Sequence, residues 1–565
     1  VSIKDDTGGV VLGNVSAGSL TVNTATGNGA ITQATGTTVV TSNAAVAVTL
    51  NAGTGDITLA NNGNNLVGTQ VNATGDAVSL KDDTGGVVLG NVNSTSLAVT
   101  AAGGITVAGA VDTADLTLTT TNTAVTQTTG TLLISATTSL NVGTGNVSLT
   151  GSGNNFVDAV SVNSGGSAAG TVQIKDDIGG LKLGNVNATA LSINTAADNG
   201  ALTQAAATHV TIGTTTALTL GTGDATLNRA GNDFGGAVTV NSGGAINIKD
   251  DTTGVLLGNV NAASLTVNTS TDNGSITQDV GTTVVTTNAA LTNALNAGTG
   301  AITLDNNANN LVGRTDLTGG TVSVKDDTGG LVLGNVSAAS LAVNTGADNG
   351  PLSQATGTSV SVTGVTTLNT GTGSITLGNG GNNLVGQVDV TGGAVSLKDD
   401  TGGVVLGNVS AASVDVNTAT GNGAITQAAG TTVVTSSGAA TNVFNAGTGA
   451  ITLGNDGNNL VGQQVNLTGG ATTVKDDTGG LVLGNVSVAS LAVNTSADNS
   501  DITQATGTTV VTTNAALTNV LNAGTGDVTL GNTGNNLRGR VDVTADAVSI
   551  KDDTGGVVLG NVSAG

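Results

Sequence analysis

Pairs of aspartates recur along the chain inside the motif Lys-Asp-Asp-Thr-Gly-Gly, and carboxylates are the first groups to consider for chemistry. The motif, with small changes at two sites, begins at Lys4, Lys81, Lys175, Lys249, Lys325, Lys398, Lys475 and Lys551. Adjacent carboxylates and turn carbonyls are the oxygen ligands that Ca²⁺ prefers, and it takes about six to eight of them. The candidate calcium ligands are Asp5, Asp6, Asp82, Asp83, Asp326, Asp327, Asp399, Asp400, Asp476, Asp477, Asp552 and Asp553.

The same motif also has a purely structural interpretation. Two carboxylates and one lysine are too few ligands for calcium, so neighbouring parts of the chain would have to complete each site. Asp, Thr and Gly are turn residues, and the lysine would partly neutralise the turn. The Gly-Gly-x-Gly-x-Asp nonapeptide of calcium-loaded β-rolls is absent. We therefore favour the turn and predict no cofactor, with calcium as the alternative.

A second motif, Gly-Asn-Asn-Leu-Val-Gly, carries paired amide side chains. Amides donate and accept hydrogen bonds and could bind a sugar. The candidate glycan ligands are Asn64, Asn65, Asn382, Asn383, Asn458 and Asn459. Asn also tolerates left-handed turn geometry and bonds neighbouring backbone groups. We favour a turn with stacked asparagines over a glycan site.

No catalytic constellation is recognisable in the sequence. The Gly-Thr-Gly segments lack the spacing of a nucleotide-binding loop and a following helix. The single histidine, His209, has no recognisable Ser, Cys or acidic partner. A β-helical polysaccharide lyase or hydrolase would usually break its repeat at a cleft rich in Arg, Lys or aromatic residues. The sequence therefore predicts a protein that is not an enzyme.

Composition excludes further classes of function. The 565 residues include 13 Lys+Arg against 37 acidic residues, giving a net charge of −24, and this surface would repel nucleic acid. No apolar run is long enough for a membrane-spanning helix. Cys is absent, aromatic residues are 1% and Gly occurs 89 times. Val, Ile and Thr favour strands, while Gly, Asn and Asp favour turns.

The spacing of the motif defines a repeat. Six of the seven intervals between successive lysines are nearly equal, and the interval from Lys81 to Lys175 is longer by roughly a quarter. The first module divides into four similar pieces, so the long interval predicts one extra piece, near 101–120. Arrays that accept a whole unit are solenoids in which each unit touches its neighbours. Residues 1–18 repeat as residues 548–565, so we expect a segment of a longer protein.

These patterns predict one continuous all-β solenoid over residues 1–565, a parallel β-helix. Each piece holds short apolar stretches separated by Gly, Asn or Asp, as in the coils of such a fold. We expect about 19 residues per coil and four coils per module of about 76 residues, as in arrays of stacked repeats. Helical solenoids are excluded because no apolar face with the period of a helix is present.

The stretches "GSLTVNTATGNGAITQATGTTVV", "NAGTGDITL" and "GNVSAGSL" resemble the central repeats of filamentous-haemagglutinin-like exoproteins of two-partner secretion, including large biofilm-matrix adhesins. The resemblance covers the whole chain in style and period. It implies a right-handed parallel β-helix and export by the Sec route. It also implies passage through an outer-membrane barrel partner and a place on the surface, or in the matrix, of a Gram-negative bacterium.

We therefore expect a non-catalytic, rod-like stalk of a secreted bacterial adhesin that attaches cells to other cells or to matrix in biofilm. The expected partners are matrix exopolysaccharide or a neighbouring cell surface. One alternative is that the shaft itself binds exopolysaccharide through many weak sites. Another is a calcium-stiffened surface-layer fibre, which calcium would stabilise strongly.

Overall fold

The computed structural model describes every residue from Val1 to Gly565 and contains 61 β-strands and no helix. The chain forms two compact units, Val1–Thr287 and Asn288–Gly565, which we call unit 1 and unit 2. Strands pair in parallel within each unit. The all-β, parallel β-solenoid predicted from the sequence is confirmed.

Unit 1 holds strands β1 to β34. In chain order they are Ser2–Lys4, Val10–Leu12, Val15–Ala17, Thr21–Asn23, Ile31–Gln33, Val39–Thr41, Val48–Asn51, Ile57–Leu59, Asn65–Leu66, Val71–Thr74, Ala77–Asp82, Val87–Asn93, Ser96–Ala101, Ile105–Val107, Val111–Thr113, Asp115–Thr120, Val125–Gln127, Leu132–Ile134, Thr138–Asn141, Val147–Leu149, Asn155–Phe156, Val160–Val162, Ala169–Lys175, Leu181–Asn194, Leu202–Gln204, Val210–Gly221, Ala225–Leu227, Asp233–Phe234, Ala237–Ser242, Ala245–Lys249, Gly254–Ala262, Ser264–Asn268, Ser275–Gln278 and Val284–Thr286.

Unit 2 holds strands β35 to β61. In chain order they are Thr292–Asn296, Ile302–Leu304, Asn310–Leu311, Arg314–Lys325, Leu331–Asn344, Leu352–Gln354, Val360–Val362, Thr366–Asn369, Ile375–Leu377, Asn383–Leu384, Gln387–Lys398, Gly403–Asn417, Ala424–Gln427, Val433–Thr435, Thr441–Asn445, Ile451–Leu453, Asn459–Leu460, Gln464–Lys475, Leu481–Asn494, Ile502–Gln504, Val510–Thr512, Thr518–Asn522, Val528–Leu530, Asn536–Leu537, Arg540–Ala545, Val548–Ile550 and Val558–Ala564.

The core is a narrow stack of aliphatic side chains. Along a strand, successive side chains point to opposite faces, so alternate residues are buried. In β11 to β13 and their neighbours, Ile57, Val78, Leu97 and Leu116 lie directly above one another in successive coils. All four are 2% exposed or less. Each such side chain stabilises the fold by about 1.5–3 kcal/mol.

Corners between strands rely on Asn and Gly. Asn349 adopts a left-handed backbone conformation with φ of 59°. Its Oδ1 accepts a hydrogen bond of 2.8 Å from the N–H of Thr372 in the next coil. Gly371 also has a positive φ, and a Cβ there would lie 2.3 Å from Asn349 Oδ1. Glycine is therefore required beside this asparagine.

The coils differ in length, so a uniform coil of equal pieces is not confirmed. One coil leads from Asp326 to Asn344, whose backbone carbonyl accepts the N–H of Asp326. Another leads from Asn23 to its partner Asn51, which is a much longer step along the chain. The first coil contains one long strand, whereas the second contains three short strands and the turns between them. Extra turn residues therefore lengthen some coils without disturbing the stacked core.

The stacking register also differs from four coils per module. The number of coils can be counted by starting at Asp326 and moving, at each step, to the residue that pairs with it in the next coil. The path runs through Asn344, Asn369, Thr391, Ser410, Val434 and Asn459 to Asp476, two modules later. A second path leads from Asp399 through Asn417, Asn445, Thr468, Ser487, Val511 and Asn536 to Asp552.

Two modules of unit 2 therefore make seven coils. Along the chain, Asp399 lies between Thr391 and Ser410, two paired residues of the first path. It therefore belongs to the coil that joins them, but lies on a different edge of that coil. Successive motifs thus stand in two alternating columns. In unit 1 the path from Asp5 to Asp176 takes eight steps, one more coil for two modules. It passes through Asn23, Asn51, Thr74, Asn93, Asp112, Leu133 and Asn155.

Candidate functional site

In six of the eight motifs the first aspartate is buried in the corner, where it holds the coil below. Asp476 is 0% exposed. Its Oδ2 accepts a hydrogen bond of 2.6 Å from the N–H of Leu460, in the Gly-Asn-Asn motif of the coil below. Its Oδ1 accepts one of 3.0 Å from the N–H of Thr478, which closes its own turn. Hydrogen bonds to a charged acceptor are stronger than neutral ones, so this carboxylate fastens two coils together.

The first asparagine of the Gly-Asn-Asn motif continues this arrangement one layer down. Asn458 is 0% exposed. Its amide forms a two-way pair with the amide of Gln427, with contacts of 2.7 and 3.0 Å. Its Oδ1 also accepts a hydrogen bond of 2.8 Å from the N–H of Val433. We call the stacked trio of Gln, Asn and first Asp the clasp.

The second aspartate stays nearer the surface. Asp477 Oδ2 accepts a hydrogen bond of 2.6 Å from the N–H of Gly457, while its Oδ1 lies 3.2 Å from Lys475 Nζ. Lys475 also pairs with Asp456 of the coil below. The motif's lysine thus neutralises its own second aspartate, as the turn interpretation requires.

The clasp recurs in both units. The amide pairs are Gln33–Asn64, Gln127–Asn154, Gln204–Asn232, Gln354–Asn382 and Gln504–Asn535. The backbone N–H groups held by the first aspartates are those of Leu66 by Asp82, Phe156 by Asp176, Phe234 by Asp250, Leu311 by Asp326, Leu384 by Asp399 and Leu537 by Asp552. At the chain start, Asp5 bonds only the N–H groups of its own turn, Thr7 and Gly8.

The calcium interpretation gains no support from the first aspartate of each pair. Both oxygens of Asp82, Asp326, Asp399 and Asp476 already accept backbone N–H groups. The second aspartates Asp6, Asp83, Asp327, Asp400, Asp477 and Asp553 pair with the lysine of their own motif. No group of three or more His, Cys, Asp or Glu side chains is arranged to hold a metal ion.

The first asparagine of each predicted glycan pair is not presented to solvent. Asn64, Asn382 and Asn458 are 0% exposed, and their amides are occupied inside the clasp. The second asparagines, Asn65, Asn383 and Asn459, are half-buried in short strands. The amides of Asn64, Asn382 and Asn458 are therefore taken up in the fold, because the motif lies directly beneath the next coil's corner.

Burial changes the acidity of three clasps. It raises the pKa of Asp176, Asp326 and Asp476 to about 6, although two backbone N–H groups act against it at each carboxylate. Coulombic repulsion from nearby aspartates adds to the rise. At the exposed chain start, by contrast, the N–H groups of Thr7 and Gly8 lower the pKa of Asp5.

A different set of polar residues faces solvent. Asn335, Asn408 and Asn485, each from the segment Leu-Gly-Asn-Val, are exposed. Their Oδ1 atoms accept the N–H groups of the following coil at 3.2 to 3.3 Å. Sequence reasoning passed over them, although the segment recurs as regularly as the Asp pair.

An Arg or Gln and an Asp or Asn lie beside these exposed asparagines. Arg314 donates a hydrogen bond of 2.6 Å to Asp316, and Asp316 accepts the N–H of Asn335 at 2.8 Å. Gln464 and Asn466 occupy the same places next to Asn485. The outer face of the modules in unit 2 therefore carries a compact polar group within reach of solvent.

His209, the single histidine, lies beside a shallow depression of about 320 Å³. Its Nδ1 is 3.0 Å from the carbonyl oxygen of Ala230. Asn163, Ser164 and Asn185 also line the depression. The neighbours of the ring are amide and hydroxyl groups, and these do not supply the acidic partner of a catalytic histidine.

No α-helix of the structure has the length and apolar character needed to cross a bilayer. The chain matches no curated protein. It also matches no solved structure. A family model of repeats matches it seven times, over residues 1–73, 107–163, 169–241, 243–318, 319–391, 392–467 and 469–544. These matches span most of the chain, which therefore belongs to the family described as repeats of unknown function (DUF5649).

Proposed function

We propose that the chain is a non-catalytic, rod-like stalk of a secreted bacterial adhesin, which attaches cells to other cells or to matrix in biofilm. The observation that carries the proposal is the use of the repeated Asp, Asn and Gln side chains. In the clasp of Asp476, Asn458 and Gln427 they fasten one coil to the next. The repeated polar side chains of the clasp are occupied by hydrogen bonds within the fold. The repeat therefore lengthens the stalk, and the regions that bind a partner lie elsewhere.

The physical character of the chain supports this proposal. In solenoids each repeat contacts its neighbours, so the number of modules sets the length. Contacts between successive coils are local in sequence, which favours rapid folding coil by coil after export. The absence of Cys removes disulfide formation as a slow step, and the single Pro leaves one X-Pro bond whose isomerisation can delay folding.

Removing two modules tests the stalk. Deletion of residues 326–475 joins Lys325 to Asp476 inside the same motif and takes out seven coils. At about 4.8 Å per coil, we expect particles shorter by about 34 Å in electron micrographs, with unchanged width. Circular dichroism of the deleted chain should keep its strand signal. A globular particle, or one whose length does not change, would overturn the proposal.

A second candidate function is supported by the exposed asparagines. In it, the shaft binds exopolysaccharide weakly at Asn335, Asn408, Asn485 and their counterparts, and the weak sites add up. Co-sedimentation of the chain with purified matrix polysaccharide tests it. Binding by the parent chain that falls several-fold in the triple alanine variant at these positions supports an adhesive shaft. Absence of binding rejects this candidate and leaves the stalk proposal standing.

A further inference from the structure

At three corners a third carboxylate, from the coil above, is hydrogen-bonded to the motif of the buried aspartate. Asp198, Asp348 and Asp498 lie in the coils above the clasps of Asp176, Asp326 and Asp476. Each accepts the N–H of the first glycine of the motif below, at 2.7 Å for Gly329 and Gly479. Asp198 holds Gly179 in the same way. The buried aspartate is therefore covered by a carboxylate that is fixed in place. Asp272 has the corresponding place above Asp250, but its carboxylate accepts the N–H of Gly274 in its own turn.

Positive charge does not balance these corners. At the Asp326 corner, the facing charged groups are Asp327 in the same turn, Asp348 above and Lys325, which pairs with Asp327 at 3.3 Å. Lys325 also bonds Asn307 of the coil below. The corner therefore contains one lysine and three carboxylates. The lysine pairs with Asp327 and not with the buried Asp326.

The other two corners have the same arrangement. At Asp176, Lys175 pairs with Asp177, and the nearby Asp158 and Lys182 pair with each other at 2.9 Å. At Asp476, Lys475 is shared between Asp477 and Asp456 of the coil below. No cation is left for the buried carboxylate in either place.

The corner of Asp399 provides a natural comparison. The segment above it reads Asn-Thr-Ala-Thr-Gly-Asn-Gly, with Gly421 where the segment above Asp326 has Asp348. Thr420 there hydrogen-bonds Asp400. Asp399 is buried as fully as Asp326 and holds its own N–H groups at similar distances. The two kinds of corner share one scaffold and differ in the third carboxylate.

We propose that Asp176, Asp326 and Asp476 form acid-strengthened clasps, which take up a proton at mildly acidic pH and make the solenoid more stable there than at neutral pH. Burial at 0% exposure disfavours the charged carboxylate, and two neighbouring carboxylates disfavour it further. Taking up one proton removes both penalties at once. The regulation acts on the shaft itself and does not depend on what the shaft binds.

The pH window follows from the direction of the shift. The pKa of these groups is raised from 3.8 to about 6, so the folded chain binds more protons than the unfolded chain between these values. The stability they contribute is fully present below about pH 4 and is lost as pH rises through about 6. Asp158 behaves oppositely, because Lys182 lowers its pKa. Its contribution is lost only in stronger acid, outside this window.

Infrared titration of the whole chain measures the protons directly. At pH 5, a carboxyl with pKa of about 6 is about nine-tenths protonated, whereas one at the ordinary 3.8 is less than about one-tenth protonated. We expect the protonated-carboxyl band at pH 5 to lose most of its intensity in the triple variant Asp176→Asn, Asp326→Asn, Asp476→Asn. A band that is absent at pH 5, or unchanged in this variant, would overturn the proposal.

Stability provides a second readout with a matched control. We expect the urea midpoint of the parent to rise from pH 7.5 to pH 5. The triple variant Asp198→Asn, Asp348→Asn, Asp498→Asn should show a smaller rise, since it keeps the shape of the covering residue and removes its charge. The control is Asp56→Asn, Asp224→Asn, Asp527→Asn, which alters the same charge at aspartates that also bond a neighbouring coil. Equal pH responses in the two triple variants would contradict the proposal.

Discussion

Asp399 illustrates how much a single residue contributes to a corner. Its carboxylate is 0% exposed and accepts the N–H groups of Leu384 at 2.6 Å and Thr401 at 2.9 Å. Asp399→Ala leaves both donors without this acceptor, and the buried N–H of Leu384 costs about 1–3 kcal/mol when it is unsatisfied. We expect a clear fall in the urea midpoint, measured by circular dichroism at pH 7.5.

Asp400→Asn is the matched control at the neighbouring position. Asp400 is partly exposed and pairs with Lys398 at 3.2 Å. Pairs of this kind contribute about 0–1 kcal/mol, so the midpoint should fall much less than in Asp399→Ala. Similar losses in both variants would mean that the first aspartate does not fasten the coils.

At this scale the sequence located the important residues but left their role open. The Asp and Asn pairs recur visibly, and the turn interpretation describes their backbone correctly. Their partners lie outside the motif, because Asn458 bonds Gln427 and Asp476 bonds Leu460, both in an earlier part of the chain. Such contacts depend on the length of each coil, which spacing along the chain does not reveal. The regular recurrence of Gln33, Gln127 and Gln204 was the available signal.

At the scale of the element, strand β42, Thr366–Asn369, separates core from surface within two neighbouring residues. Leu368 is 0% exposed and stacks between Val343 and Val390 of the adjacent coils. Leu368→Ala removes buried methyl groups and opens a cavity, which costs about 2–5 kcal/mol. We expect the urea midpoint to fall accordingly, with faster hydrogen exchange in the flanking strands.

Thr367→Ala on the same strand is the comparison. Thr367 points outward and is exposed, so its replacement should change stability by about 0.5 kcal/mol or less. A large loss in this variant would contradict the inward and outward assignment of the strand. That assignment was predictable, because alternation of apolar and polar residues is a local signal.

Coil length was not predictable from the same signal. Quartering a module assumes equal pieces, but the step from Asn23 to Asn51 is much longer than the step from Asp326 to Asn344. Solenoid coils tolerate extra residues at corners because loops there do not enter the core. The alternation of apolar and polar residues predicts the strands, but it does not show which corners hold the additional residues.

At the scale of the whole molecule, the register makes two modules, rather than one, the structural period in unit 2. Seven coils connect Asp326 with Asp476, and Asp399 falls on another edge of the coil between Thr391 and Ser410. Identical motifs in neighbouring modules therefore point in different directions. A ligand that recognised the outer face would meet equivalent groups every second module on a given edge.

Distances between spin labels in unit 2 test this register. Labels at the exposed positions Asn335 and Asn485 stand two modules apart, and we expect a separation of about 34 Å from seven strand spacings. Labels at Asn335 and Asn408 stand one module apart but on different edges. The distance between these two labels should therefore exceed half the distance between the labels at Asn335 and Asn485. It combines three and a half strand spacings along the stack with a displacement across the coil. If modules contained a whole number of coils, the second distance would equal half the first, and the two-column arrangement would be wrong.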